Sequence, residues 1–403
     1  MSFFTKLLDR IFTSKLISSK IQPFIKRYAY GEVININKDL TSEKQKKVLI
    51  VYLSIQMKNI YEERHANYYH LNQMIHYFIT QNWCVDTCMC NDDDAIVRLS
   101  NNEYDLVLGL GSAWRKAIAT FPKAQKVLFL TENVPAVVAE KYICRKKYFK
   151  QRHPDLDSEK AEARMGYFKQ QDLYDADNII FMSSPYNGEF FKDKKISCQF
   201  VVSNAIQNLH YEFNKSEALN SIRYRKKKFI CFGCNGLIHK GIDVLCDVFS
   251  QLPECTLSLY GINEKELPLL KKICPHNVNI CANINVQSEE FLIELVKKNA
   301  FIILPSCSEG MSTGVVTCML HGLIPIVSKE SGLLDSKLVT FLEDFSVEYI
   351  TNVIKNIIST EDEKLIEQSE KIIEYTSQTY SLKAFDKTFA NAIQYIIADA
   401  SIV

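Results

Sequence analysis

The feature that most limits the fold of this chain is a recurring unit, a short apolar run followed by a helical period. Lys47–Leu53 (KVLIVYL) is rich in β-branched residues and short, and reads as a buried first strand. Tyr68, Leu71, Met74, Ile75, Phe78 and Ile79 then keep a helical period up to Trp83. Strand-like runs recur at Cys84–Cys90, Asp105–Leu110, Lys126–Leu130 and Ile179–Met182, with Gln199–Ser203 as a further candidate. Strand–helix alternation of this kind predicts an α/β fold with a doubly wound parallel sheet.

Asn214–Lys228 breaks the series with a polar stretch that ends RYRKKK, either a solvated connector or a phosphate-binding patch. A second series follows. Phe229–Gly233 is its first strand, and Val244, Leu245, Val248, Phe249 and Leu252 mark the helix before strand Thr256–Tyr260. A helix around Phe291–Val296, strand Phe301–Leu304, a helix near Gly314–His321 and strand Ile324–Val327 come next. Three helical stretches, around Val347–Ile358, Lys364–Tyr375 and Leu382–Ala400, complete the pattern.

At 403 residues the chain is too long for one ordinary core. The expected division is an N-terminal basic amphipathic arm (1–40), a Rossmann-like domain (41–213) and a linker (214–228). A second Rossmann-like domain (229–375) and a C-terminal helix (376–403) that packs back on the first domain complete it. Two sheets in tandem make a cleft between them the natural ligand site.

Composition excludes several classes. Hydrophobic residues make up 47% and charged residues 24%, as in a soluble globular protein, and a net charge of +1 gives no electrostatic case for nucleic acid. No apolar run reaches the ~18 residues of a membrane span. The 13 cysteines are scattered through apolar segments with no signal peptide ahead of them, and read as reduced thiols in a cytoplasmic protein. Cys231 and Cys234 have metal-like spacing, but no second pair follows, and packing in a strand is the better reading. In the first thirty residues, Phe4, Leu7, Leu8, Ile11, Phe12 and Leu16 share a helical face while Lys6, Arg10, Lys15, Lys20, Lys26 and Arg27 outweigh Asp9. Such a segment either lies on an anionic membrane surface, making the protein peripheral to the inner face of a membrane, or packs as an arm on the first domain.

Two segments carry the chemistry. FGCNGLIHKGIDVLCDVF (Phe232–Phe249) is a strand end, a glycine-bearing loop, a Lys-Gly pair and an amphipathic helix. Its glycines allow close backbone approach to a phosphate, the helix start offers free N–H groups, and Lys240 adds a cation. PSCSEGMSTGVV (Pro305–Val316) repeats the plan with a carboxylate. Ser312, Thr313 and Gly314 would offer N–H groups at a helix N-terminus, suited to a diphosphate. Glu309 is a poor phosphate partner and a good acceptor for sugar hydroxyls, so one loop suits both halves of a sugar nucleotide.

Together the segments GCNGLIHKG, LSLYG and LPSCSEGMSTGVVTCMLHGLIPIVS, in that order, resemble the C-terminal domain of GT-B fold glycosyltransferases, the family-4-like enzymes in particular. The match covers about Phe229 to Leu333; before it, only the strand–helix order resembles the family. The resemblance implies two Rossmann-like domains facing a cleft and a hexosyltransferase-type activity on a nucleoside diphosphate sugar. No cofactor or metal is expected to be required, and the anomeric configuration is expected to be retained. Lys240 would bind the donor diphosphate, Glu309 would touch the transferred sugar, and Met311, Ser312, Thr313 and Gly314 would supply backbone contacts. Gly233 belongs to the same donor loop. The sequence departs from the family at two donor positions, with Asn235 where an arginine is usual and Thr317 where a second glutamate grips the ribose.

The acceptor, a glycan or a lipid-linked glycan, would enter from the first domain, where the family places a base or acid near the cleft. Candidates are Glu62, Glu63 and His65, then Glu132 and Asn133 in LTENVP, then His153; Glu132 and His65 join Glu309 as the catalytic set. Arg145, Lys146, Lys147, Lys150 and Arg152 form either an anion-facing stretch or a solvated helix face. Asp92–Asp94 has a DxD spacing used elsewhere for metals, but it opens a helix, where acids cap. LGLGSAW (Leu108–Trp114) lacks the third glycine of a dinucleotide fingerprint, and His321 before Gly322 reads as a helix end. Asn235 and Thr317 also admit a non-catalytic sugar-nucleotide or glycan-binding relative in polysaccharide assembly. A sugar-nucleotide isomerase would need a histidine–carboxylate pair, and a nicotinamide oxidoreductase a complete fingerprint.

Overall fold

The computed structural model describes residues 33–39, 45–53, 66–158, 166–192, 194, 196–208 and 210–399. The basic segment 1–30 and the candidates Glu62, Glu63 and His65 lie outside the described residues.

Among the described residues, thirteen strands form two sheets. Strands β1 (Val33–Ile36), β2 (Lys47–Tyr52), β3 (Cys84–Met89), β4 (Leu106–Gly109), β5 (Gln125–Leu130), β6 (Asn178–Met182) and β7 (Cys198–Val201) lie in the order β1-β3-β2-β4-β5-β6-β7. The edge strand β1, at the end of the expected arm, runs antiparallel to its neighbour β3, while β2, β3, β4 and β5 pair in parallel, as do β6 and β7. Strands β8 (Lys228–Phe232), β9 (Thr256–Tyr260), β10 (Val278–Cys281), β11 (Phe301–Leu304), β12 (Ile324–Ser328) and β13 (Thr340–Leu342) lie in the order β10-β9-β8-β11-β12-β13, all parallel. The α/β architecture of two parallel-sheet domains matches the expectation from sequence.

The helices are α1 (Ala66–Thr80), α2 (Asp93–Arg98), α3 (Gly111–Thr120), α4 (Pro135–Arg152), α5 (Asp172–Asp175), α6 (Lys215–Asn220) and α7 (Ile222–Arg225). They continue with α8 (Ile242–Ser250), α9 (Leu267–Ile273), α10 (Thr313–Leu320), α11 (Val347–Ile358), α12 (Asp362–Thr379) and α13 (Leu382–Asp399). The turn Phe291–Val296 is wound as a π-helix, which lets Phe291, Leu292, Leu295 and Val296 all be buried. Among the described residues, no helix is long and apolar enough to cross a membrane.

The chain packs as two compact units. The first holds Asn67–Phe129, the described residues before Ile60, and Gln171–Asn178; the second holds Leu130–Gln170 and the described residues from Ile179 onward. In the first unit, Asp86 is fully buried and is saturated by Lys47 at 2.8 Å, the Tyr104 hydroxyl at 2.6 Å and the Asn35 amide at 2.6 Å. Those three donors offset its desolvation. Asp92 caps α2 by accepting the Ala95 amide at 3.1 Å.

In the second unit the core of the six-stranded sheet is aromatic. Phe229 and Phe301 stack across β8 and β11 with centroids 4.8 Å apart, and Phe249 of α8 meets Phe229 edge-on at 5.4 Å. Helix α13 packs on β7. Asn214–Lys228 is not an open connector: it folds as α6 and α7, and the buried Arg225 donates to the carbonyls of Ala218, Val296 and Asn299. None of the thirteen cysteines is in a disulfide, and the buried Cys234 thiol turns back to the Cys231 carbonyl at 3.1 Å.

Strand β8 comes first in its sheet yet lies in the middle. The chain winds from it to β9 on one side and later returns to β11 on the other. The loops leaving β8 and β11 therefore diverge at a topological switch point, where open α/β sheets leave a crevice for ligands.

Candidate functional site

The loop after β8 is shaped by glycine. Gly233 has φ +81° and donates its N–H to Tyr260 O at 3.0 Å. A Cβ added there would meet nothing within 4 Å, so the loop borders open space. Gly236, at φ +104°, and Leu237 donate their N–H groups to Glu266 Oε2 and Oε1 at 3.0 and 2.7 Å. Glu266 is only 3% exposed, so a buried carboxylate braces the turn that leads into Lys240. Gly241 then adopts a left-handed conformation at the start of α8, and a Cβ there would stand 2.7 Å from Pro305 O. The start of α8 is thereby pressed against the end of β11.

The loop after β11 is fastened to the first one. Cys307 N–H donates to His239 O at 2.8 Å, and His239 Nε2 lies 2.5 Å from Ser308 O. A carbonyl oxygen can only accept, so that nitrogen carries the proton. Lys240 Nζ lies 2.5 Å from Glu309 Oε1, with side chains 6% and 9% exposed. The Ser306 hydroxyl donates to the same carboxylate oxygen at 2.6 Å, and Ser328 Oγ holds Ser306 O at 2.6 Å. Glu309 N–H donates to Glu330 O at 2.9 Å. A shielded ion pair thus occupies the crevice between β8 and β11, its geometry set by neighbours on four sides.

Helix α10 begins beside this pair. Ser312 is its N-cap residue, and the Ser312 N–H is donated to Ser331 O at 3.0 Å; the amides of Thr313 and Gly314 follow in the first turn, where a helix has N–H groups without intrahelical acceptors. A Cβ on Gly314 would stand 3.1 Å from Phe232 Cδ1, so the helix start lies close against the end of β8. Met311 turns its sulfur to the Ser203 amide at 3.1 Å. Thr317 is buried, and its hydroxyl accepts the Ile206 amide at 3.0 Å. Asn235 is exposed and accepts from Asn263 Nδ2 at 3.3 Å.

Glu132 comes to the same loop. A Cβ on Gly310 would stand 2.1 Å from Thr131 O and 3.1 Å from Glu132 Cα, so this backbone crosses directly over Gly310. Ser183 Oγ donates to Gly310 O at 2.7 Å and Asn187 Nδ2 to Glu309 O at 3.0 Å. The structure therefore gathers Gly233, Lys240, Glu309, Met311–Gly314, Thr317 and Glu132 around the two loops. His65 lies outside the described residues, and His153 is drawn elsewhere, to Asp247 Oδ2 at 3.0 Å beside Arg152. Burial, then the nearby Arg152, hold its pKa below the usual histidine value.

Sequence reasoning misses the supporting residues. His239 and Glu266 are invisible as partners because their contacts span 69 and about 30 residues, although the adjacency of His239 to Lys240 was a usable signal. Two of the six basic residues of α4 turn inward. The buried Arg145 donates to Pro305 O at 2.7 Å and lies over Phe345 at 4.2 Å, and Arg152 pairs with Asp243 and Asp247. Burial lowers the Arg145 pKa from its usual value. Behind the Glu309 loop a cavity of about 210 Å³ is lined by Arg145, Pro305, Cys307, Glu330 and Phe345. Neither Lys240 nor Glu309 lines it.

No family model matches the chain, and no curated protein does. Solved structures do. The chain is similar to sucrose-phosphate synthase from Thermosynechococcus elongatus at 14% identity and a TM-score of 0.58, over 88% of this chain and 100% of that one. It is similar to HepE from Anabaena, solved in complex with UDP-glucose, at 12% identity and a TM-score of 0.57, over 89% and 100%. It also matches the N-terminal domain of a Candida albicans trehalose-6-phosphate phosphatase at 12% identity and a TM-score of 0.54, over 91% and 99%. These likenesses show the GT-B fold of two parallel-sheet domains. They extend to proteins named for different reactions, so the reaction is argued from the site.

Proposed function

We propose that this protein is a glycosyltransferase that moves a sugar from a nucleoside diphosphate sugar to a glycan or lipid-linked acceptor. The observation that carries the reading is the shielded Lys240–Glu309 pair at the crevice between β8 and β11. It sets a cation for the diphosphate beside a carboxylate for sugar hydroxyls. HepE, a protein of the same fold, was solved with UDP-glucose, which favours a uridine donor.

In the reaction, the bond from the anomeric carbon to the β-phosphate oxygen breaks and its electron pair stays on that oxygen. An acceptor hydroxyl forms the new bond to the anomeric carbon, with retention of configuration, and gives up its proton to a base. Glu132, whose backbone crosses Gly310, is our candidate for that base. Lys240 and the first-turn amides of α10 balance the charge that grows on the departing diphosphate, so no metal is required in this reading. Glu309 holds the sugar while the bond breaks. A basic segment at residues 1–30 would bring the enzyme to a lipid-linked acceptor on an anionic membrane, and flotation on anionic liposomes with and without that segment tests this.

A second reading has its own support. Thr317 already holds the Ile206 amide, and Asn235 offers no charge, so the nucleoside end of the donor is gripped less firmly than in the family pattern. A non-catalytic sugar-nucleotide binder fits that. Thermal stabilisation by a panel of sugar nucleotides, with donor hydrolysis followed in parallel, separates the two, because ligand binding to the fold raises apparent stability by mass action. Lys240→Ala should weaken donor binding by about a hundredfold, since it leaves Glu309 without its cation. No stabilisation by any donor would sink both readings; stabilisation without hydrolysis or transfer would favour the second.

A further inference from the structure

We infer that the Lys240–Glu309 ion pair makes this site choose the intact sugar nucleotide over the nucleoside diphosphate left after transfer. The inference rests on the donor-site reading above and adds a discrimination that the reading does not contain.

The ammonium and carboxylate lie 2.5 Å apart, and their side chains are 6% and 9% exposed, so bulk water replaces little of what either loses when they separate. The two loops are also tied to each other beside the pair. Cys307 N–H to His239 O at 2.8 Å and His239 Nε2 to Ser308 O at 2.5 Å tie the backbone beside Lys240 to the backbone beside Glu309. Glu309 is further held by Ser306 Oγ at 2.6 Å and through its own N–H to Glu330 O at 2.9 Å.

To meet a diphosphate, Lys240 must turn away from this carboxylate. For an intact donor the exchange is matched on both sides. Lys240 trades a carboxylate for phosphate oxygens, and Glu309 trades the ammonium for hydroxyl donors of the sugar. For the nucleoside diphosphate alone only the first trade is matched. Glu309 keeps its contact with Ser306 but loses its cation with no hydroxyl to replace it. The pair therefore competes with the product more than with the substrate, so the spent nucleotide leaves more readily than the donor does.

Calorimetric titration of the full chain tests this with three matched sets: UDP and UDP-glucose, GDP and GDP-mannose, ADP and ADP-glucose. The tightest set is then measured in Glu309→Gln and Glu309→Asp, with thermal unfolding as a check that each variant is folded. In the unaltered protein the sugar nucleotide should bind about tenfold tighter than its nucleoside diphosphate. Glu309→Gln should tighten the nucleoside diphosphate several-fold and weaken the sugar nucleotide, bringing the ratio to about one or below. Glu309→Asp keeps the charge but draws it back from Lys240, and should shift the ratio the same way by less. A ratio unchanged in both variants, with both ligands still binding, overturns the inference and leaves the donor site standing. If Glu309→Gln does not fold, Glu309→Asp decides by the same criterion. If none of the six nucleotides binds, the donor-site reading itself fails and the inference goes with it.

Discussion

The two sheets share one plan and use it differently. Each has its first parallel strand in the interior, with the chain winding away on both sides: β2 between β3 and β4, and β8 between β9 and β11. At the first of these places glycine permits contact. A Cβ on Gly109 would stand 2.1 Å from Val51 O, and one on Gly111 would stand 2.4 Å from Cys90 O. At the second, glycine leaves room, because a Cβ on Gly233 would meet nothing within 4 Å. The buried charges differ in the same way. Asp86 is saturated by three donors from its own unit, whereas Lys240 and Glu309 hold each other beside the loops after β8 and β11, where we propose that a donor replaces either partner. The two sheets thus share an interior first parallel strand while their orders differ beyond it; in the proposed reading one is used for packing and the other for recognition, and side chains at the strand ends decide which.

That contrast can be broken by substitution. Gly111→Ala should cost about 3 kcal/mol of stability, because its methyl would meet backbone at φ +86°, and chemical denaturation should register the loss. Gly233→Ala carries only the strain of φ +81° and should cost about 1 kcal/mol, with its main effect on nucleotide affinity. Equal losses in the two variants would erase the distinction between contact and room.

A smaller effect comes from acid. His321 ends α10 between the rings of Phe213 and Phe291, and burial lowers its pKa from 6.5 to about 4. The folded form therefore keeps His321 neutral while the unfolded chain takes up a proton below pH 6.5. This stability is present above that value and is lost as pH falls towards 4. Between pH 7 and pH 5 the loss should be about 2 kcal/mol, and His321→Gln should flatten this part of the pH–stability curve. A slope unchanged by His321→Gln would mean that another group carries it.

The smallest expected effect is at Glu266. Glu266→Gln keeps one acceptor for the Gly236 and Leu237 amides and removes the charge. It should weaken sugar-nucleotide binding by roughly fivefold to tenfold while moving the unfolding midpoint little. A large loss of stability with unchanged affinity would make Glu266 a structural residue only.

Much of this is legible in the sequence where burial is uniform. β8 and β11 are apolar nearly throughout and so declare themselves as interior parallel strands. β10 and β13 escape notice because four and three residues, partly polar, give no period to read. Asn214–Lys228 reads as a connector by composition. It folds because Ala218, Leu219 and Ile222 bury a narrow face and Arg225 binds three carbonyls. In α4, two basic residues point into the protein, which blurs the apolar stripe a helix normally shows. At the site, residue type and placement after strands single out Lys240 and Glu309. Their pairing across 69 residues is set by the strand order, which no local pattern encodes. The same holds for the brace at Glu266 and the tie through His239.

The most direct test of the central claim is hydrogen–deuterium exchange with and without the tightest-binding sugar nucleotide. The account predicts that protection gained on binding concentrates in residues 233–241 and 306–317, where the loops after β8 and β11 meet, with little change in residues 106–115 after β4. Protection at 106–115 with none in the other two segments would contradict it.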